Sequence, residues 1–390
     1  MPHRPRLRAL VASGALLSGG LAAFASAAPA GAETTAFYVH GHRLLTVFGD
    51  RTDNRIVVSR DTAGHILVND GYVDIHGASA TVDNVDLVQV FGRGGNDSIS
   101  LDETNGALPK AQLFGGHGDD HLTGGAEDDL LAGGAGDDVL TGGRGNESLI
   151  GGDGNDFVDG NQGADTALLG AGNDVFQWDP GDGSDVVEGQ AGNDAMVFNG
   201  AAAGERFGVA ANGSRVRFTR DLGNITMDLA GVERIDTNTL GGQDSFTAQD
   251  LTGTDITQLG IDEAGLGGAP DGVADRITVD GTAAADTITV KGSAAAGVAI
   301  GGLPAAVRIT GTDAIDGLDI EAGAGDDVVT AAGLDAGAVT FSADGGEGND
   351  LLVGSAGDDS LHGAAGDDVL EGGPGNDTLD GGTGSNVLIQ

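Results

Sequence analysis

The sequence predicts an all-β protein in which two glycine-rich blocks form stacked turns and short strands, accompanied by further β-rich segments. Three observations support this fold class. Glycine accounts for 73 of the 390 residues, more than twice the ~7% of an average protein. A nine-residue pattern recurs in two unbroken runs. Alternating stretches outside those runs, such as "NRIVVSR" at 54 and "SRVRFTR" at 214, are typical of short strands.

The repeated unit has glycine at positions one, two and four, an acidic residue at six and an apolar residue at eight. Its register is unbroken from Gly115 to Gln177, which is seven units, and from Gly345 to Ile389, which is five units. Glycine adopts positive φ without steric penalty, so the first six residues suit a turn. The last three alternate as a strand does. A single unit buries only one hydrophobe, so the period predicts stacked repeats that share one core. A disordered Gly/Asp tract would not keep that apolar position fixed.

The chain is strongly acidic, with 18 basic and 60 acidic residues and a net charge of −42. Such a chain repels nucleic acid and anionic membranes, so we expect neither a nucleic-acid partner nor membrane insertion. Cations are its natural partners. The sequence contains no cysteine, so no disulfide holds the fold together and another device is required.

Residues 1–32 have the features of a secretory signal peptide. Three arginines precede an apolar stretch from Ala9 to Ala25, and small residues follow it. Cleavage is expected after Ala27 or Ala32, both of which end small-x-small sequences. A short membrane anchor is the alternative, but glycine and serine interrupt the apolar stretch. We therefore expect an extracellular, secreted protein.

The unit resembles the RTX (repeats-in-toxin, hemolysin-type) calcium-binding nonapeptide G-G-x-G-x-D-x-U-x. The resemblance covers twelve copies in register, and isolated units also lie at 92, 189 and 322. It implies a parallel β-roll in which two nonapeptides make one turn of the coil. It also implies that Ca²⁺ is held between turns by position-six aspartates and by backbone carbonyls of the glycine-rich loops. The metal ligands implied are Asp97, Asp120, Asp129, Asp138, Asp156, Asp165, Asp174, Asp194, Asp327, Asp350, Asp359, Asp368 and Asp377.

The charge of such a ladder requires cations. Two units per turn place every second position-six residue on the same edge, roughly 4.8 Å apart. Carboxylates at that distance repel by about 3.5 kcal/mol per pair at an effective dielectric near 20. Calcium accepts six to eight hard oxygens in flexible geometry, whereas zinc prefers the cysteine and histidine that this ladder lacks. No ligand is assigned at Glu147 or Asn386, where the aspartate is replaced.

The organisation of the chain follows from these patterns. The block "WDPGDGSD" at 178 closes the first roll, and its acids indicate a further cation site. Its alternative role is a capping loop in which Trp178 shields the end of the solenoid. The predicted segments are a signal peptide (1–32), a β-rich lead-in (33–90), a first calcium-binding β-roll with its closing block (91–200), an intervening β-rich segment (201–320) and a second calcium-binding β-roll (321–390).

The sequence carries no H-E-x-x-H or G-x-S-x-G motif of a zinc protease or lipase. "HGDDH" at 117 imitates a metal motif, but its histidines occupy variable repeat positions and are expected to be solvated. The favoured function is a secreted, non-catalytic calcium-binding protein that folds on calcium outside the cell, with a structural or adhesive role and an unidentified cell-surface or matrix partner. The alternatives are a calcium-stabilised secreted enzyme with a site in the β-rich segments, and a calcium-dependent carbohydrate-binding module.

Overall fold

The computed structural model describes residues 34–390, and this part of the chain is built almost entirely of strands. Helical structure within it is confined to three single 3₁₀ turns at His40–His42, Asn69–Gly71 and Leu222–Asn224. The all-β prediction is confirmed. None of the helices described is long and apolar enough to span a bilayer. The predicted signal peptide falls on residues outside the described range.

Thirty-five short strands make up the two sheets of the described residues. In chain order they are β1 (Thr35–Val39), β2 (Leu44–Phe48), β3 (Arg55–Arg60), β4 (Ile66–Val68), β5 (Ile75–Gly77), β6 (Leu87–Phe91), β7 (Ser98–Asp102), β8 (Ala111–His117), β9 (His121–Thr123), β10 (Leu130–Ala135), β11 (Val139–Gly145), β12 (Ser148–Asp153), β13 (Phe157–Gly163), β14 (Thr166–Gly172), β15 (Val175–Trp178), β16 (Val186–Gly192), β17 (Ala195–Asn199), β18 (Arg206–Asn212), β19 (Arg215–Arg220), β20 (Ile225–Ala230), β21 (Arg234–Leu240), β22 (Ser245–Ala248), β23 (Gln258–Gly265), β24 (Arg276–Asp280), β25 (Thr287–Ser293), β26 (Gly297–Gly301), β27 (Ala306–Thr310), β28 (Gly317–Glu321), β29 (Val328–Leu334), β30 (Thr340–Asp344), β31 (Leu351–Val353), β32 (Ser360–His362), β33 (Val369–Glu371), β34 (Thr378–Asp380) and β35 (Val387–Ile389).

Successive strands of the repeats alternate between the two sheets. β10, β12 and β14 pair in parallel in the first sheet, and β11, β13 and β15 do so in the second. Leu131 lies opposite Leu149 in the first sheet, and Leu140 lies opposite Val158 in the second. Two nonapeptides therefore make one turn of the coil. This is the parallel β-roll that the family resemblance implied.

The two sheets also run through the segments that lack the nonapeptide. In pairing order the first sheet is β5-β1-β2-β6-β8-β10-β12-β14-β16-β20-β19-β18-β22-β24-β28-β30-β32-β34. The second is β4-β3-β7-β9-β11-β13-β15-β17-β21-β23-β27-β26-β25-β29-β31-β33-β35. The β-rich segments thus continue the same two sheets. The division of the chain into five segments stays a prediction.

Antiparallel hairpins interrupt the coil at a few places. β18, β19 and β20 form antiparallel pairs in the first sheet, and β25, β26 and β27 do so in the second. The hairpins also reveal an internal duplication. β3 pairs antiparallel with β4 and parallel with β7, and β25 pairs in the same way with β26 and β29. Each hairpin lengthens the chain between neighbouring parallel strands and so breaks the nine-residue period.

The core lies between the sheets, and within the repeats it is built from the position-eight residues. All seven of the first run are buried, including Ala167 and Phe176. In the second run Leu352, Leu361 and Leu370 are buried, whereas Leu388 on the last strand is 49% exposed. Each apolar residue is therefore covered by the turns on either side of it. This is the stacking that the sequence pattern requires.

Trp178 lies inside the core and not at an end of the solenoid. Its ring is 1% exposed and stacks on Phe198 of the neighbouring strand, with centroids 4.0 Å apart. Its Nε1 donates to the carbonyl oxygen of Gly183, 2.7 Å away. The Arg220 guanidinium lies over the same ring at 5.1 Å. Both sheets continue beyond this point, so the alternative in which Trp178 shields the end is wrong.

Candidate metal centre

The position-six carboxylates form hydrogen-bonded ladders along the edges of the roll. The main-chain N–H of Asp120 donates to Oδ1 of Asp138 at 2.7 Å, and that of Asp138 donates to Oδ1 of Asp156 at 2.8 Å. Asp97, Asp174 and Asp194 extend this ladder in both directions. On the opposite edge and in the second block the same bond joins Glu147 to Asp165, Asp327 to Asp350, Asp350 to Asp368, and Asp359 to Asp377. The structure therefore brings the predicted residues together in columns.

In most of these residues, only one carboxylate oxygen accepts a main-chain hydrogen bond of the ladder. The other oxygen, Oδ2, is buried and has no hydrogen-bond partner among the described residues. An anionic oxygen in this condition is costly unless a cation accompanies it. This applies to eleven of the thirteen predicted ligands, namely Asp97, Asp120, Asp138, Asp156, Asp165, Asp174, Asp194, Asp327, Asp350, Asp368 and Asp377.

In nine of the eleven, the unpartnered oxygen faces a glycine at position one of its own repeat. Position one is Leu169 in the repeat of Asp174 and Ala322 in the unit of Asp327. A methyl group on Gly133 would collide with Asp138 Oδ2. A methyl group on Gly92 would collide with Asp97 Oδ2 and would lie 2.6 Å from the carbonyl oxygen of Gly115 on the next turn. A carboxylate oxygen and a carbonyl oxygen therefore border a space that a larger residue would fill. These are hard donors of the kind that Ca²⁺ binds at 2.3–2.6 Å, so the residues fit this ion.

Burial also raises the pKa of the ladder carboxylates. The pKa of Asp138 rises to about 7 because the carboxylate is buried, and the charges of Asp156 and Asp120 add to this effect. Burial likewise raises the pKa of Asp97 and Asp156 to about 6. Without a cation these carboxyls therefore hold their protons to a higher pH than an ordinary aspartate does. A bound cation favours the ionised form, because ligation requires the deprotonated carboxylate.

Two predicted ligands differ from the others because their second oxygen already has a donor. Asp129 Oδ2 accepts from the main-chain N–H of Gly125 at 2.7 Å. Asp359 Oδ2 accepts from the N–H of Ser355 at 2.6 Å, and the Ser355 hydroxyl donates to Oδ1. The chain itself therefore supplies donors to these two carboxylates. We expect them to bind a cation less strongly than the eleven unpartnered ones.

The two positions at which the aspartate is replaced behave differently from each other. Glu147 is buried and both its carboxylate oxygens lack a partner among the described residues. Burial, together with the charge of Asp165, raises the pKa of Glu147. Asn386 instead donates from Nδ2 to the position-one carbonyl of Gly381, 2.6 Å away. An amide thus satisfies the oxygen that other repeats leave for a cation, which agrees with the absence of an assigned ligand there.

The closing block contributes a residue that the repeat register missed. Asp185 is buried, and its Oδ1 accepts from the N–H of Asp165 at 2.8 Å. Burial raises the pKa of Asp185 to about 7. The separation of these two residues is 20 positions and not the 18 of the regular repeats. Because the block contains two extra residues, a strict nine-residue count does not place Asp185 at position six. Its acidic side chain and its position before a strand are the sequence features that could have identified it.

The histidines that imitate metal motifs do not form such a group. In the described part of the chain, the one cluster of side chains close enough to hold an ion by themselves consists of three carboxylates outside the repeats, Glu263, Asp275 and Asp316. His121 is exposed at its variable repeat position, as expected. The ladder sites differ from this cluster because they combine side-chain oxygens with main-chain carbonyls.

The comparison with known families agrees with this geometry. The family model of the RTX calcium-binding nonapeptide repeat matches residues 114–146, 141–176, 181–200, 344–379 and 356–388. These matches cover about a third of the chain and include nearly all of both runs of strict repeats and residues 181–185 of the closing block. No curated protein matches the chain. The chain therefore carries RTX calcium-binding nonapeptide repeats, and Ca²⁺ is the ion that these repeats bind.

Proposed function

We propose that this is a secreted, non-catalytic calcium-binding protein whose rolls fold when they bind Ca²⁺ outside the cell, and that its role is structural or adhesive. The observation that carries the proposal is the column of buried, unpartnered carboxylate oxygens along the roll. The proposed ligands are the thirteen position-six aspartates together with carbonyl oxygens of the position-one residues. Asp129 and Asp359 contribute less, because their second oxygens accept from the main chain.

Calcium is favoured over other divalent ions by the chemistry of the donors. Every ladder side chain offers oxygen, and the sequence has no cysteine to supply thiolate. Magnesium needs a near-ideal octahedron and gives up its waters reluctantly, so a ladder of carboxylates and carbonyls suits it poorly. Because ligand binding to the folded state alone stabilises that state, calcium binding becomes folding free energy.

The location outside the cell follows from the predicted signal peptide and from the affinity expected of such sites. Extracellular calcium modules have Kd values of about 10⁻⁴–10⁻³ M. Sites of that strength stay empty at cytosolic calcium and fill outside. The structural or adhesive role is supported by the continuity of the two sheets across both blocks and the segments between them, because stacked repeats suit an extended element.

Calorimetric titration of the secreted protein with calcium, and with magnesium for comparison, tests the calcium-dependent function. We expect several calcium ions to bind in the millimolar range or tighter, with a much weaker response to magnesium. Equal heats for the two ions, or no calcium binding, would refute the proposal. Secretion has its own test. N-terminal sequencing of material from the medium should begin at Ala28 or Glu33, and intact Met1 there would contradict export by the signal peptide.

A further inference from the structure

Three buried carboxylates meet in the segment between the two blocks, where the sequence has no nonapeptide. Glu263 lies on β23, and Asp275 and Asp316 immediately precede β24 and β28. An oxygen of each lies within 4.8 Å of an oxygen of the other two. Their exposed fractions are 3%, 4% and 2%. The cluster is therefore formed by both sheets and is closed to solvent.

Glu263 occupies a position that the strand pattern reserves for the core. Leu259, Ile261 and Glu263 alternate along β23 with their side chains inward, and the first two are apolar. Glu263 Oε2 is buried and has no hydrogen-bond partner among the described residues. The pairing of β21 with β23 is irregular between Asn238 and Leu240, next to this residue. A carboxylate therefore points between the sheets without a donor.

Elsewhere in the same segment the protein neutralises a buried glutamate with a base. Glu205 is 1% exposed and forms an ion pair with Arg220, which is 5% exposed. In the described part of the chain, no lysine, arginine or histidine forms an ion pair with Glu263, Asp275 or Asp316. The cluster thus carries the negative charge expected of a cation site. It has no guanidinium like that of Arg220, which neutralises Glu205.

The remaining two members of the cluster repeat the ladder geometry of the rolls. The N–H of Asp244 donates to Asp275 Oδ1 at 2.8 Å, and the N–H of Asp275 donates to Asp316 Oδ1 at 3.1 Å. Asp244 Oδ2 is also buried without a partner. The same N–H to Oδ1 bond joins Asp120 and Asp138, and it is formed here across separations of 31 and 41 residues. Asp316 differs from those two residues because its Oδ2 accepts from the main-chain N–H of Asp313 at 2.7 Å. The edge that binds calcium in the rolls therefore continues through this segment.

The raised pKa values of Glu263 and Asp275 agree with the absence of a positive charge beside the cluster. Burial, together with the charges of Asp316 and Asp275, raises the pKa of Glu263 to about 9. Burial raises the pKa of Asp275 to about 7, and Asp244 and Asp316 add to it. Adjacent carboxylates cannot all ionise in a closed site unless a cation joins them.

We propose that Glu263, Asp275 and Asp316 hold a divalent cation, and that this cation is Ca²⁺. All three side chains offer hard oxygens and none offers nitrogen or sulfur, as Ca²⁺ prefers. The site lies outside every stretch matched by the nonapeptide family model. It ties β23 of the second sheet to β24 and β28 of the first, and it extends the calcium-binding edge between the two blocks.

Native mass spectrometry of the full chain in calcium counts the bound ions and tests this site. The variant Glu263→Gln keeps the shape of the side chain and removes its charge, and Asp275→Asn keeps Oδ1 as the acceptor for Asp244. Each is expected to bind at least one ion fewer than the unchanged protein. Asp262→Asn is the matched control, because Asp262 adjoins Glu263 on the opposite face of β23. Its ion count should not change.

If Glu263→Gln and Asp275→Asn bind as many calcium ions as the unchanged protein, the proposal is overturned. It is also overturned if the control Asp262→Asn loses an ion as these two variants do. Crystals of the unchanged protein grown with calcium give a second measurement that does not depend on how the variants fold. An anomalous peak among the three carboxylates is expected, and its absence would overturn the site. The calcium-binding function of the nonapeptides is tested independently of this site. It requires Asp138→Asn to bind fewer ions, whether or not the Glu263 variant does.

Discussion

The main-chain N–H of Asp138 donates to Oδ1 of Asp156 on the next turn of the coil, at 2.8 Å, while Oδ2 of Asp156 has no partner in the described part of the chain. One carboxylate thus serves two purposes. Its first oxygen fixes the spacing between turns, and its second is left for a cation. Because these bonds form only when successive turns stack, folding and cation binding depend on the same atoms.

The first prediction is that calcium drives folding of the rolls. Each unit buries one apolar side chain against the cost of ordering nine residues, and the acidic ladder opposes stacking. Trp178 is the single tryptophan of the chain and is buried against Phe198. Millimolar calcium should therefore shift its fluorescence to shorter wavelength, increase the β signal in circular dichroism and reduce the hydrodynamic radius.

Magnesium at the same concentration is the control for this experiment and should have a much smaller effect. A chain that is already compact and rich in β-structure in chelator would contradict the prediction.

The second prediction compares a substitution at the ladder aspartate Asp138 with one at Asn386, where the repeat has asparagine in place of aspartate. Asp138→Asn keeps an acceptor for the N–H of Asp120 but removes the charge at Oδ2. Calcium affinity depends on the number of charged ligands, so the calcium midpoint should rise by about tenfold. Asn386→Ala should have a much smaller effect, because the Asn386 amide already bonds to the Gly381 carbonyl. Equal shifts in a titration followed by circular dichroism would show that the ladder is assigned wrongly.

The third prediction concerns the space over the position-one glycine. Gly133 has no positive φ, yet a methyl group there would collide with Asp138 Oδ2. Gly133→Ala should therefore weaken calcium binding without straining the backbone. Gly301→Ala is the matched control, since a methyl group on Gly301 meets nothing within 4 Å and its φ is also not positive. Isothermal titration of both variants should show a loss of calcium affinity for the first alone.

The strict repeats allowed most of the roll to be predicted. Position eight identifies the core from Leu122 to Phe176, and position six identifies the ladder that contains Asp120, Asp138 and Asp156, because both follow from a fixed period. The nine-residue period does not show which groups donate hydrogen bonds to each position-six carboxylate oxygen. Asp359 Oδ1 accepts from the hydroxyl of Ser355, the residue that replaces the position-two glycine, and only the structure shows this contact.

The intervening segment could not be predicted in the same way. Glu205, Asp244, Asp275 and Asp316 follow one another on neighbouring strands, but their separations are 39, 31 and 41 residues. The hairpins formed by β18–β20 and β25–β27 account for the irregular spacing in part, since they carry the chain away from the coil and back. No nonapeptide unit occurs between Glu205 and Asp316, so the continuation of the ladder became visible only through the pairing of strands.

The last prediction is that acid stabilises the calcium-free protein and weakens calcium binding. Burial raises the pKa of Asp138 to about 7 and that of Asp156 to about 6, from an ordinary 3.8. A carboxyl whose pKa is raised on folding binds more protons when folded, so its contribution to stability is full below about pH 4 and is lost as the pH rises through 6 to 7. In buffer freed of calcium, the β signal in circular dichroism should therefore rise as the pH falls from 8 to 5.

In millimolar calcium the direction reverses, because protons compete with the ion for the same oxygens and binding releases them. The calcium midpoint should therefore be lowest at pH 8 and should increase toward pH 5. Asp138→Asn removes one of the titrating carboxylates, so its calcium-free stability should depend less steeply on pH than that of the unchanged protein. A calcium-free protein that becomes less stable on acidification over this range would show that these carboxylates are ionised in the folded state, and that the ladder carries its charge without a cation.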